Sequence, residues 1–230
     1  MNRNLLYIGI ILIVSILCVA AMFQFTVKQT VGKPIRVACI GDSITEYGGY
    51  PNKLQALLGS NYIVENFGVS GATLTTNSTL PYISRPQFQD ALKYQPDIVI
   101  IMLGTNEASI ENMGTNTDLV DQYSYLINAF QNLQGTQLIW IAKPPPIITN
   151  PNFDSDYLEN IVIPQILTVS DQLNLPLIDI PYVVGSDIYF ADGVHPTYEG
   201  STLIAAVVYN AITLPDGSPD ITAFGEGYIG

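Results

Sequence analysis

Short apolar runs recur along most of the chain, and the stretches between them carry apolar residues at helical spacing. Residues 35–40, 62–67, 98–103, 138–142 and 177–180 are each largely apolar or β-branched and are bounded by Gly, Pro, Asn or Asp, the signature of buried strands. Residues 98–103 are apolar throughout, as a central parallel strand requires. Between the runs, Leu119, Val120, Tyr123, Leu126, Ile127 and Phe130 recur at steps of three and four, which marks an amphipathic helix closed by Gly135. Similar patterning predicts helices over 50–58, 87–94, 157–172 (in spite of Pro164) and 198–212, with a long polar loop after residue 67. Strands alternating with helices imply right-handed crossovers and a parallel sheet. The expected architecture is a three-layer α/β/α sandwich with a five-stranded parallel sheet, flavodoxin-like, which binds ligands outside the carboxyl ends of its strands.

One apolar stretch does not fit this alternation. Leu5 to Phe23 contains no charge and no polar face, and its length suffices to cross a bilayer as one transmembrane helix. Arg3 precedes it, so the positive-inside tendency places the remainder outside the cytoplasm. The run exceeds the usual apolar core of a signal peptide and no clean A-x-A site follows, which favours an uncleaved anchor over secretion after cleavage. The chain is therefore divided into an anchor segment, 1–30, and a catalytic-sized domain, 31–230, with membrane contact through residues 5–23.

Composition narrows the chemistry. Twenty acidic against eight basic side chains give a formal net charge of −12, which argues against nucleic acid and other phosphate-rich partners. With one histidine and two cysteines, of which Cys18 lies in the apolar segment and Cys39 in a strand, there is neither a disulfide framework nor a ligand set for zinc. Neither a metal nor a cofactor is expected. Asp154 and Asp156 read as helix-capping residues before the 157–172 helix rather than calcium ligands.

Candidate chemistry sits at the predicted strand ends. Gly41-Asp42-Ser43-Ile44-Thr45 follows the first strand directly and stands a serine hydroxyl at the rim of the sheet. Asp192-Gly193-Val194-His195-Pro196 holds the lone imidazole, the group able to take a serine proton and return it to a leaving alcohol, with a carboxylate on the same loop to fix its tautomer. Gly104-Thr105-Asn106-Glu107 ends the most apolar strand and offers an amide donor to an oxyanion. Gly68-Val69-Ser70-Gly71-Ala72 closes the second strand, and Gly71 brings a backbone N–H to the same rim without a side chain to block it.

These blocks, GDSIT, GVSGAT, GTNE and DGVHP, resemble in order and spacing the Ser, Gly, Asn and His blocks of the SGNH (GDSL-like) hydrolases. The resemblance runs over residues 35–212. It implies Ser43 as nucleophile, Asp192 and His195 as the rest of a catalytic triad, and an oxyanion hole made by Ser43, Gly71 and Asn106. Many relatives carry Asp where this chain has Glu107. The segments NFGVSGATL, Pro81-Tyr82 and PDIVIIMLGTNE are most similar to the branch of sialate O-acetylesterases and acetylxylan esterases. The function so implied is hydrolysis of short-chain, acetyl-type esters on carbohydrate, with a small-molecule or carbohydrate ester as partner.

Three alternatives remain in view. Ser70 nearly matches the G-x-S-x-G elbow, but loop-like sequence rather than a helix follows it. The same triad would serve a lipid esterase, lysophospholipase or thioesterase, and a non-catalytic carbohydrate-binding surface domain would share the fold. Tyr47, Tyr50, Tyr82 and Tyr189 flank the motif loops, where they either stack on sugar rings or pack in the core. No feature of the chain specifies its oligomeric state.

Overall fold

The computed structural model describes residues 33–115, 118–136 and 138–213. The expected anchor over residues 5–23 lies outside them. Among the described residues no helix is long and apolar enough to cross a membrane.

Five parallel strands form one sheet in the order β2-β1-β3-β4-β5. They are β1 (Ile35–Gly41), β2 (Tyr62–Gly68), β3 (Ile98–Met102), β4 (Leu138–Ala142) and β5 (Leu177–Ile178). All pairings are parallel, with Cys39 of β1 between Asn66 and Ile100 in register. This is the flavodoxin-like strand order.

Alternate side chains of the strands enter two cores, as the pleat dictates. Ala38, Ile40, Val99, Ile101, Ile139 and Ile141 face the helices Pro86–Tyr94, Leu119–Gln131 and Ile163–Leu173. Val37, Cys39, Ile98, Ile100, Met102 and Ile178 face the helices Tyr50–Leu58 and Tyr198–Thr213. Helix, sheet and helix thus make three layers, and the central strand β3 is buried along its whole length.

The fold departs from expectation in three places. β5 ends at Ile178 rather than residue 180, because Pro181 opens a short helix, Ile180–Val183. Proline suits a first helical turn, where no intrahelical donor is lost. Asp179 at that turn is pinned by Lys143 at 2.6 Å. Pro164 is accommodated inside the expected helix by a wider π-helical turn, Leu158–Val162, immediately before it. The helix expected to close at Gly135 stops at Gln131, where Asn132 satisfies the last carbonyls. Asp154 does cap the Ser155–Tyr157 helix, accepting from Tyr157 N–H at 2.8 Å.

Candidate active site

The carboxyl end of β1 delivers Ser43. Asp42 accepts from Ile44 N–H at 2.9 Å and so caps the short helix Ser43–Glu46, in which Ser43 is the first residue. Its backbone N–H has no partner within the helix, the arrangement that suits an anion. Asn66 Nδ2 donates to the carbonyls of Thr45 and Glu46, and Glu46 accepts Ser70 N–H at 2.6 Å, which fastens this turn to the end of β2.

Across the rim, the loop before the last helix supplies the only imidazole of the chain. Ser43 Oγ lies 2.9 Å from His195 Nε2, and His195 Nδ1 lies 2.7 Å from Asp192 Oδ2. Asp192 Oδ1 also accepts the backbone N–H groups of Val194 and His195 at 3.0 and 2.7 Å. Partial burial pushes the Asp192 carboxyl up, but the hydrogen bonds from His195 and Val194 outweigh it and hold the group below the usual carboxylate range. Asp192 therefore stays ionised at neutral pH and directs Nδ1–H toward itself, which leaves Nε2 as acceptor for the serine proton.

Gly193 makes that loop possible. Its φ is +83°, and a Cβ there would lie 2.1 Å from the Thr149 carbonyl oxygen. Ile148 N–H donates to Gly193 O at 2.9 Å and Asn150 Nδ2 to Asp192 O at 3.0 Å, so the loop is clamped to the segment that follows β4.

The candidate oxyanion side is built from the ends of β2 and β3. Asn106 sits in the 3-10 turn Thr105–Ala108 and is buried, with Nδ2 donating to Ala72 O at 3.0 Å. A primary amide carries a second N–H, which is what an oxyanion would take. Gly71 has φ +75° in the turn after β2 and shares with Asn106 the wall of a cleft of about 520 Å³. Ser109, Glu111, Asn112, Asn152 and Thr79 line it too, together with Leu80, Ile110 and Phe153.

Glu107 explains why part of the expected polar loop after β2, residues 72–75, is buried. Its Oε1 accepts the N–H groups of Leu74 and Thr75 at 2.5 and 3.0 Å, so residues 72–75 turn inward. Burial pushes the Glu107 carboxyl up to about 7 against the pull of those two N–H groups, with nearby Asp42 adding to the rise. Asp42, also buried and beside Thr105, is raised to about 6 by burial, its bond from Ile44 N–H opposing the shift.

The structure brings Ser43, His195 and Asp192 into one hydrogen-bonded line and sets Asn106 and Gly71 on a common wall. Ser70 is exposed on a turn that no helix follows, and the His195 ring is engaged by Ser43. Of the tyrosines flanking the motifs, Tyr50, Tyr82 and Tyr189 are buried, and Tyr82 donates to Phe67 O at 2.7 Å. Tyr47 alone among them is exposed. Glu46 and Asn150, which no motif marks, prove to hold the supports of the site. No group of His, Cys, Asp and Glu side chains capable of holding a metal is present among the described residues.

Known proteins resemble the chain in both sequence and fold. An acetylxylan esterase of Xylanibacter ruminicola is 30% identical over 206 aligned residues, covering 77% of this chain but 43% of that protein. The chain thus spans less than half the length of this relative. A carbohydrate acetylesterase family member from Sinorhizobium meliloti superposes with a TM-score of 0.62 at 22% identity, covering 77% of this chain and 97% of that one. The aryl esterase of M. smegmatis superposes with a TM-score of 0.64 at 19% identity over 77% and 98% of the two chains. At these identities the structures speak for the fold. The family model that matches residues 39–203 takes in all the strand-end motifs together, and on that match the chain belongs to the GDSL-like lipase/acylhydrolase family.

Proposed function

We propose that this protein is a serine esterase that removes acetyl groups from carbohydrate through Ser43, His195 and Asp192. The observation that carries the reading is the continuous line from Ser43 Oγ to His195 Nε2 at 2.9 Å and from His195 Nδ1 to Asp192 at 2.7 Å. Ser43 Oγ attacks the ester carbonyl carbon as its proton passes to His195 Nε2. The oxyanion so formed is held by the N–H groups of Ser43 and Gly71 and by Asn106 Nδ2. Collapse expels the sugar alcohol with the proton from His195 and leaves an acetyl-serine. Water, deprotonated by the same ring, then releases acetate and restores Ser43.

Carbohydrate is favoured over lipid by the cleft beside Asn106. Ser109, Asn152 and Thr79 offer hydrogen bonds to hydroxyl groups beside the apolar Leu80, Ile110 and Phe153, the mixed wall that a sugar with its polar edge and apolar faces matches. The acetylxylan esterase relative supports the same class. The test is a comparison of Ser43→Ala with Ser70→Ala on p-nitrophenyl acetate, p-nitrophenyl octanoate and acetylated xylan. Ser43→Ala is expected to abolish hydrolysis and Ser70→Ala to retain it, with acetyl far above octanoyl. Reversal of the two variants removes Ser43 from the mechanism, and a preference for octanoyl removes the carbohydrate reading.

We also propose that residues 5–23 anchor the protein in a membrane with the esterase domain on the extracytoplasmic side. The uncharged apolar run and the position of Arg3 support it.

A further inference from the structure

A second cleft, of about 580 Å³, is lined by the segments that follow Ser43 and His195. Tyr47, Lys53, Pro196, Thr197, Tyr198 and Ser201 line it. Two of these follow the catalytic candidates at once: Tyr47 is the residue after the Ser43–Glu46 helix, and Pro196 is bonded to His195. Tyr47 and Tyr198 are the most exposed aromatic side chains of the described residues, at 74% and 75%.

Two exposed aromatic rings lining one cleft form apolar surface of the kind that ligands cover. Tyr198 is moreover held in place. The Lys53 ammonium sits 3.0 Å from its ring centroid, so one face is occupied by a cation and the ring's exposure belongs to the remainder. A sugar ring suits such a surface, because its C–H face packs on the aromatic plane while its hydroxyls stay hydrated or bond to Thr197 and the tyrosine hydroxyls.

We infer that Tyr47 and Tyr198 form a saccharide subsite that receives a sugar unit neighbouring the acetylated one, so that the enzyme acts on chains of sugars rather than on acetylated monosaccharides. The inference rests on the carbohydrate reading above and adds the length of the substrate. One cleft is lined by Asn106 and Gly71, and the other by Tyr47, which follows the Ser43–Glu46 helix, and by Pro196, which follows His195. A chain whose acetylated unit meets Ser43 would place a neighbouring unit against Tyr47 and Tyr198.

The experiment measures kcat/KM on acetylated xylo-oligosaccharides of increasing length and on p-nitrophenyl acetate, for the wild type, for the double variant Tyr47→Ala/Tyr198→Ala, and for Tyr198→Phe. In the wild type, kcat/KM is expected to rise with saccharide length. In the double variant the ratio of long-oligosaccharide to p-nitrophenyl acetate activity is expected to fall about tenfold or more, mainly through KM, while Tyr198→Phe keeps the stacking face and most of the ratio. Saccharide hydrolysis that does not depend on length, or a ratio untouched in the double variant, overturns this inference alone. Absence of hydrolysis of any acetylated saccharide, with p-nitrophenyl acetate turned over normally, overturns the carbohydrate reading and this inference with it.

Discussion

Replacing Glu107 by Gln separates two opposing effects at the buried carboxyl next to Asn106. Burial favours the neutral acid, while the N–H groups of Leu74 and Thr75 on Oε1 favour the carboxylate. With burial ahead, the carboxyl titrates at about 7 in the folded protein against 4.5 for an ordinary glutamate. The folded state then binds the proton more tightly than the unfolded chain, so Glu107 leaves stability intact below pH 4.5 and erodes it as pH rises toward 7. Each unit of displacement is worth about 1.4 kcal/mol, so the erosion amounts to about 3 kcal/mol above pH 7. Gln keeps an oxygen for both N–H groups and cannot ionise, so the variant escapes this loss. Its stability relative to wild type is expected to climb by about 3 kcal/mol between pH 4.5 and 8, or about 6 to 12 °C in Tm for a domain of this size. The slope contributed by Asp42, whose carboxyl is raised to about 6, stays in both proteins and cancels in the difference only in part, because removing the Glu107 charge eases Asp42 as well. Urea unfolding followed by circular dichroism across that pH range provides the assay. A difference that is flat with pH, or that moves against the variant as pH rises, would show that the two N–H groups prevail and would refute the reasoning.

On the proposed mechanism Asn106→Ala removes a donor to charge that appears only in the transition state, so kcat on p-nitrophenyl acetate should fall about a hundredfold or more with a smaller change in KM; an unchanged kcat takes Asn106 out of the proposed oxyanion hole. Gly193→Ala places a methyl group 2.1 Å from Thr149 O at a φ of +83°, so the loop must shift. We expect a loss of about 1–3 kcal/mol in stability and a larger proportional loss of activity, because Asp192 and His195 ride on that loop; full activity in the variant would contradict the geometry. For the anchor, the full chain is expected in the membrane fraction of intact cells, with the esterase domain cut by protease added outside. A soluble species lacking the first residues, through about 23, would establish cleavage instead.

The strands were legible because residues buried on both faces of a parallel sheet leave continuous apolar runs, and the candidate catalytic residues because they cluster at the ends of those runs. β5 was misjudged in length since Ile180 continues the apolar pattern while Pro181 dictates the backbone. The inward course of residues 72–75 had no local signal. Leu74 and Thr75 are held by Glu107, 33 and 32 positions away, and a polar stretch reads as solvent-exposed until such a partner is found. The tyrosines were undecidable for a related reason. Tyr82 and Tyr47 have the same intrinsic chemistry, and only packing separates a ring that bonds Phe67 O in the core from one that stands in water. Tyr198 went unmarked because nothing in its helix distinguishes a ring used as a platform from an ordinary surface residue.

The hydrogen bond between Ser43 and His195 joins positions 152 residues apart, one after the first strand and the other just before the last helix. That helix, Tyr198–Thr213, shares its apolar face with the helix Tyr50–Leu58 that follows the nucleophile turn. On the proposed triad, a nascent chain can complete the serine turn early in synthesis without being able to cleave an ester. Hydrolytic competence arrives only when the last part of the domain has been made and has docked against the first. Truncation products and chains stalled during translation are thus silent by construction, and the appearance of turnover during refolding reports the closing contact of the whole domain rather than the formation of any one part.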